Sequence, residues 1–197
     1  MYLLESFSIT WQVAEPTITI TSLLFGIFLF FKDPIRRWQF LGYNPTLIAL
    51  LIDPQKQILG LIKMNKYWVP IQGGIYDPNI YSDIDRVLSR EVGISSDKYD
   101  LKNVQELGAI KFSDKKRLKK RFIGGIRLFR QPKGKGYIVC FLEVNSDQIL
   151  KNYKLGYGIK KFKFFDINEG IDLMKKSNAD NLKKYESIEK VIRNLNY

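Results

Sequence analysis

The stretch WVPIQGGIYDPNIYSDIDRVLSREVGI, residues 68–94, decides how the rest of the chain is read. Its second half sets apolar residues at Ile80, Ile84, Val87 and Leu88, with Asp83, Asp85, Arg86 and Arg90 between them. That is the spacing of a short amphipathic helix. Gly93 follows as a residue suited to a left-handed cap, so the spacing predicts a helix that ends there. The first half places a short apolar strand, with Trp68 and Pro70, ahead of a Gly73-Gly74 turn.

Working outward, TLIALLID (46–53) is an apolar run bounded by Pro45 and the turn DPQ, and reads as a buried strand with QILGLIKM (57–64) as its hairpin partner. VQELGAIKF (104–112), RFIGGIRLF (121–129) and GYIVCFLEV (136–144) read as three further strands. FFDINEGIDLMKK and NLKKYESIEKVIRNL read as two helices, the first with Asp166 as its cap. The order is mixed α/β, with no internal repeat.

Composition limits the chemistry. The 197 residues are 45% apolar, enough for one core of ordinary domain size plus an appendage. There is no histidine and a single cysteine, Cys140, which removes Ser-His-Asp and Cys-His triads, histidine proton shuttles and zinc sites of Cys and His. Cys140 sits inside YIVCFLEV and reads as a small core residue, in keeping with a reducing compartment.

The first 31 residues carry no Lys or Arg and two acids, Glu5 and Glu15. Within them Thr17–Phe31 is an uncharged run that would span about 22 Å as a helix, against a bilayer core of about 30 Å. Trp11 and Trp38 flank it at positions suited to interfacial belts, and Lys32, Arg36 and Arg37 follow at once. The expectation is a short, uncleaved, single-pass membrane anchor with the C-terminal domain cytoplasmic, residues 1–40 forming the anchor and its linker and residues 41–197 the domain. A hydrophobic helix packed against protein is the other reading, and the TITIT alternation also permits a strand.

Beyond residue 31 the 32 bases face 18 acids, a formal charge of +14, which favours anionic partners. Eleven of the bases lie between Lys111 and Lys135, against Asp114 alone. Lys115, Lys116, Arg117, Lys119, Lys120 and Arg121 form the centre of this segment. They close over a polyphosphate ligand, bind single-stranded RNA beside Phe112, Phe122 and Phe129, lie on anionic lipid, or form a solvated loop. An anchor would favour lipid or a small ligand over nucleic acid.

From residue 46 to about 195 the chain resembles a Nudix domain. The family's box is a Gly, five residues, a Glu, seven residues, then Arg-Glu-apolar-any-Glu-Glu-any-Gly-apolar. Trp68, Pro70, Gly73 and Gly74 resemble its approach strand and glycine pair, and Arg86 to Ile94 resembles its end, keeping the arginine, the last glutamate at Glu91 and the glycine. FFDINEGIDLM resembles the family's lead-in to a late helix. The resemblance implies an α/β/α sandwich with a mixed sheet, here preceded by a single hydrophobic helix. It also implies hydrolysis of a nucleoside diphosphate linked to another group, with Mg²⁺ or Mn²⁺ held by the box carboxylates.

The box departs from that pattern at its carboxylates. From Gly74 to Gly93 there are 19 positions where the family has 21, and the first glutamate falls at Ile80 counted forward or Pro78 counted back. Val87 and Arg90 stand where two further glutamates belong, leaving Glu91 as a weak lone metal ligand. Mg²⁺ is strongly hydrated and needs more than one carboxylate, whereas a guanidinium repels it and grips phosphate. The expectation is therefore a catalytically degenerate, membrane-anchored sensor or effector without a cofactor. Gly73, Gly74, Arg86 and Arg90 would cradle a nucleotide-like or other phosphate-bearing ligand. The alternatives are that Arg86 is only a structural arginine and Arg90 a surface side chain; that the domain is an active hydrolase using Mg or Mn; or that it is an interaction or homo-oligomerisation domain. Among other acids, Asp77, Asp83, Asp85, Glu106 and Glu143 form no metal spacing, and Asp83 and Asp85 read as helix-surface residues.

Overall fold

The computed structural model describes residues 22–23, 25–28, 32–77, 79–111, 132–176 and 182–194. A helix α1 (Pro34–Phe40) leads into β1 (Tyr43–Asp53), then β2 (Ile58–Met64), β3 (Tyr67–Val69), β4 (Ile71–Gly74) and α2 (Ile80–Val92). There follow a 3-10 turn at Ser96–Lys98, β5 (Tyr99–Lys111), β6 (Gly134–Val144), α3 (Ser146–Asn152), β7 (Ile159–Asp166), α4 (Ile167–Lys176) and α5 (Leu182–Asn194).

The strands form one seven-stranded sheet in the order β3-β2-β1-β6-β5, with β4 on β1 and β7 on β2. β1 and β6 run parallel from Tyr43↔Gly134 to Ile52↔Glu143, and the other pairings are antiparallel. β1 is apolar nearly throughout because both its faces are covered. Its alternate side chains serve different cores: Leu47, Ala49 and Leu51 join Ile84, Val87, Leu88 and Val92 of α2, while Ile48, Leu50 and Ile52 join Ile171 and Met174 of α4 and Tyr185, Ile188 and Ile192 of α5. Helices thus lie on both faces of a mixed sheet, the α/β/α sandwich expected.

α2 forms where its apolar spacing put it. The Asn79 side chain accepts from the Tyr81 N–H at 3.1 Å, an N-cap, and the other end closes on Gly93 at φ 67°. There Gly93 N donates to Ser89 O at 3.1 Å and Ile94 N to Leu88 O, so the left-handed turn satisfies the last carbonyls. Ile84, Val87, Leu88 and Val92 are fully buried, each contributing about 2 kcal/mol of apolar transfer.

Three elements have no counterpart in the sequence reading: α1, α3 and β7, whose last residues Phe164–Asp166 the reading placed in the helix that begins only at Ile167. β5 also begins at Tyr99, earlier than expected. The strand expected at 121–129 lies outside the described residues.

The expected membrane span requires correction. Among the described residues no helix is long and apolar enough to cross a membrane, so the single-pass location with a cytoplasmic domain is withdrawn. Most of 17–31, with Trp11, lies outside the described residues. Beyond it the chain bends at Asp33, whose carboxylate accepts from Ile35 N at 2.8 Å and starts the separate helix α1. Trp38 on that helix is buried in the core, where a Cβ added to Gly136 would lie 2.1 Å from its indole. A tryptophan packed on the sheet is not at a lipid interface.

Candidate functional site

Gly73 and Gly74 end β4, paired with Leu47 and Thr46 of β1. The loop from Ile75 to Asn79 then turns into α2, and a buried carboxylate sets its path. Asp83, 1% exposed, accepts from Tyr76 N and Asp77 N with Oδ2, both at 2.9 Å. Its Oδ1 accepts from Arg86 Nε at 3.1 Å and from Arg86 Nη2. The same Nη2 donates to the Gly74 carbonyl, and the guanidinium lies 4.7 Å from the Tyr76 ring centroid. Arg86 therefore ties the helix to the glycine turn through protein acceptors. Asp83, read from sequence as a surface acid, is the residue on which the loop is folded, a role that depends on the path of the loop and carries no signal in the sequence.

One turn further along α2, Val87 occupies the position of an expected glutamate. It is fully buried, and a Cβ on Gly73 would come within 2.4 Å of its Cγ2. The close contact requires glycine opposite valine. Gly73→Ala is expected to cost about 2 kcal/mol through overpacking. The double variant Gly73→Ala/Val87→Ala should recover at least about 1 kcal/mol relative to additivity, measured by a double-mutant cycle in urea. Strict additivity would show that the two do not share this space.

Arg90 and Glu91 interact with each other. Arg90 Nε and Nη2 both donate to Glu91 Oε1, Nε at 2.8 Å, and Nη2 would lie 3.4 Å from a Cβ on Gly73. The Glu91 side chain is 14% exposed and that of Arg90 54%, so the carboxylate is covered and the guanidinium faces outward. Behind them the segment after α3 crosses the end of α2. Lys154 N donates to Val92 O at 2.9 Å and Gly156 N to Glu91 O at 2.8 Å. A Cβ on Gly156 would lie 2.2 Å from Arg90 O, so a glycine is needed there for the backbones to meet. Sequence reasoning missed this brace, although the glycines of KLGYG marked it.

The remaining acids are committed elsewhere. Asp85 accepts from the Tyr99 hydroxyl at 2.7 Å, Asp77 caps its own loop through Asn79 N, Glu106 pairs with Arg37, and Glu143 with Lys102 at 3.2 Å. Burial first, then the Asp85 contact, push the Tyr99 phenol well above its usual range. Among the described residues no group of three or more His, Cys, Asp or Glu is placed to hold a metal ion. Among the described residues, valine stands where the resemblance expects one carboxylate and arginine lies across Glu91, a donor set that does not fit Mg²⁺. A groove of about 260 Å³ lined by Asp53, Asp97, Tyr99, Glu143 and Gln148 lies at the far end of β1 from Thr46, away from this loop. Lys115, Lys116, Arg117, Lys119, Lys120 and Arg121 lie outside the described residues.

No family model matches the sequence, and no curated protein matches it. Solved structures do resemble the fold. A Nudix hydrolase from M. smegmatis, RenU, is 9% identical with a TM-score of 0.51, over 78% of this chain and 86% of that one. A C. elegans Ap4A hydrolase in a binary complex is 12% identical with a TM-score of 0.46, over 77% and 98% of the two chains. The NUDIX domain of Shewanella oneidensis NrtR complexed with ADP ribose is 11% identical with a TM-score of 0.44, over 76% and 88%. The chain has a Nudix-like fold; at these identities the likeness concerns the fold alone.

Proposed function

We propose that this Nudix-like domain binds a nucleotide-like or other phosphate-bearing ligand at the Gly73-Gly74 loop, without the family's metal-dependent hydrolysis, as a sensor or effector module. The observation that supports it is Arg90 lying across Glu91. A guanidinium on the lone box carboxylate opposes a divalent cation at that place, while its outward N–H groups suit a phosphate oxygen. Gly73 packs against Val87 with the Arg90 guanidinium beside it, which brings the end of β4 up to α2, and Arg86, held by Asp83, braces the loop from within. The basic residues from Lys115 to Arg121 add long-range attraction for an anion by their charge alone.

Binding is tested by calorimetry with ADP, ADP-ribose and a dinucleoside polyphosphate, in EDTA and in Mg²⁺. The expected result is saturable binding in EDTA, little changed by Mg²⁺, and weakened about tenfold or more by Arg90→Ala, the loss of one or two charge-assisted hydrogen bonds. Mg²⁺-dependent turnover abolished by Glu91→Gln would instead establish the hydrolase reading.

A further inference from the structure

Lys184 is a buried charge that the Gly73–Arg90 loop does not explain. It stands in the first turn of α5, on the sheet face opposite α2, and is 3% exposed. Its Nζ lies 4.4 Å from the ring centroid of Tyr185 on its own helix and 5.4 Å from that of Tyr137 on β6. Lys135 stands two residues from Tyr137 on the same face of β6, which puts a second positive charge on the side of the sheet that Lys184 covers. No carboxylate among the described residues pairs with Lys184. Burial first, then the Lys135 charge, lower its ammonium to about 8, and burial lowers Lys135 as well.

Two ammonium groups on one face of the sheet, with no carboxylate paired to Lys184 among the described residues, are an unfavourable arrangement. A buried charge left without a partner costs several kcal/mol, and the first turn of a helix disfavours cations further. Aromatic faces offset only part of this. The missing complement is an anion of about two charges that accepts several N–H bonds, which is the chemistry of a phosphate group. Lys135 is only partly covered and opens the cluster to solvent at the start of β6.

We propose that Lys184 and Lys135, beside Tyr137, form a phosphate-binding site between α5 and the sheet, separate from the Gly73-Gly74 loop. The phosphate comes either as the free ion or as the monoester of a nucleotide, and the two are told apart by the ligand added.

The test follows the Lys184 Cε resonance in the full chain labelled with ¹³C-lysine, assigned by its loss in Lys184→Met. In chloride its titration midpoint is expected near 8. Inorganic phosphate is expected to raise that midpoint by about one pH unit or more, as an opposite charge at contact does. A similar rise with AMP assigns the nucleotide monoester, and its absence assigns the free ion. Lys135→Met, at a partly exposed position, removes the response and keeps the test available should Lys184→Met not fold. Arg90→Ala leaves it intact, which separates this site from the one on the other face. A midpoint that neither phosphate nor AMP moves beyond sodium chloride of equal ionic strength overturns the proposal.

Discussion

Arg86→Ala lowers the unfolding free energy by about 3 kcal/mol, while Arg90→Ala changes it by less than about 0.5 kcal/mol. Both are arginines of α2, one turn apart, and sequence reasoning gave them the same task. Their surroundings separate them. Removing the Arg86 guanidinium leaves the Asp83 carboxylate buried with two backbone donors and no counter-ion, and leaves the Gly74 carbonyl without that donor. Removing Arg90 breaks an ion pair between adjacent residues in which the guanidinium is 54% exposed and the carboxylate 14%, a partly solvated contact of the kind that contributes little. Urea unfolding with unchanged m-values checks the pair. Equal small losses would show that the Asp83 network does not hold the loop.

The difference between the two arginines also marks what the sequence made legible. The helix from Ile80 and its Gly93 cap followed from periodicity and from the conformational freedom of glycine. The central strand 46–53 followed from an unbroken apolar run. Those are local signals, and they survived. β7 did not, because the adjacent Lys160 and Lys161, with Lys163, break the alternation of its apolar residues on a strand exposed in part. The Arg86–Asp83 bond spans three residues, but its purpose, to accept two amides of the preceding loop, depends on where the loop goes. The partnership of Val87 with Gly73 is likewise a contact between a helix and a strand end, which no spacing reveals. Lys184 looked like one charge among many in NLKKYESIEKVIRNL; only the packing of α5 on Tyr137 shows that it is buried.

That lysine gives the second large effect. In phosphate-free buffer the protein is expected to gain stability as pH rises from about 7.5 to 9. The native Lys184 releases its proton near 8, whereas the unfolded side chain holds it to about 10.5, so within this window the unfolded state binds more protons. Stability rises with pH under that condition. A fall from 10.5 to about 8, at about 1.36 kcal/mol per pH unit, is on the order of 3 kcal/mol if Lys184 acted alone. Above pH 9 the sign reverses for other groups. Burial pushes the Cys140 thiol up to about 12 and the Tyr185 phenol up to about 12, so the unfolded chain ionises first and stability falls. Burial raises Tyr137 in the same sense. The expected profile is a maximum near pH 9, read from chemical denaturation at fixed ionic strength. Lys184→Met is expected to flatten the rising limb and to be the more stable protein at pH 7. A rising limb that persists in that variant would assign it to another group.

The parallel pairing of β1 with β6 has a kinetic meaning. Tyr43 finds Gly134, and Ile52 finds Glu143, each partner roughly ninety residues later in the chain, so the middle of the sheet is built from contacts of high order. β2 waits longer still for β7. The antiparallel pairings of β2 with β3, of β1 with β2 and β4, and of β5 with β6, together with the helix α2, join residues closer in sequence. On a ribosome, the glycine turn and α2 emerge well before the strand that completes the sheet beneath them. Until residue 144 has emerged, β1 has an open edge along its whole parallel side, and that interval is when the chain is most exposed to mispairing with another copy.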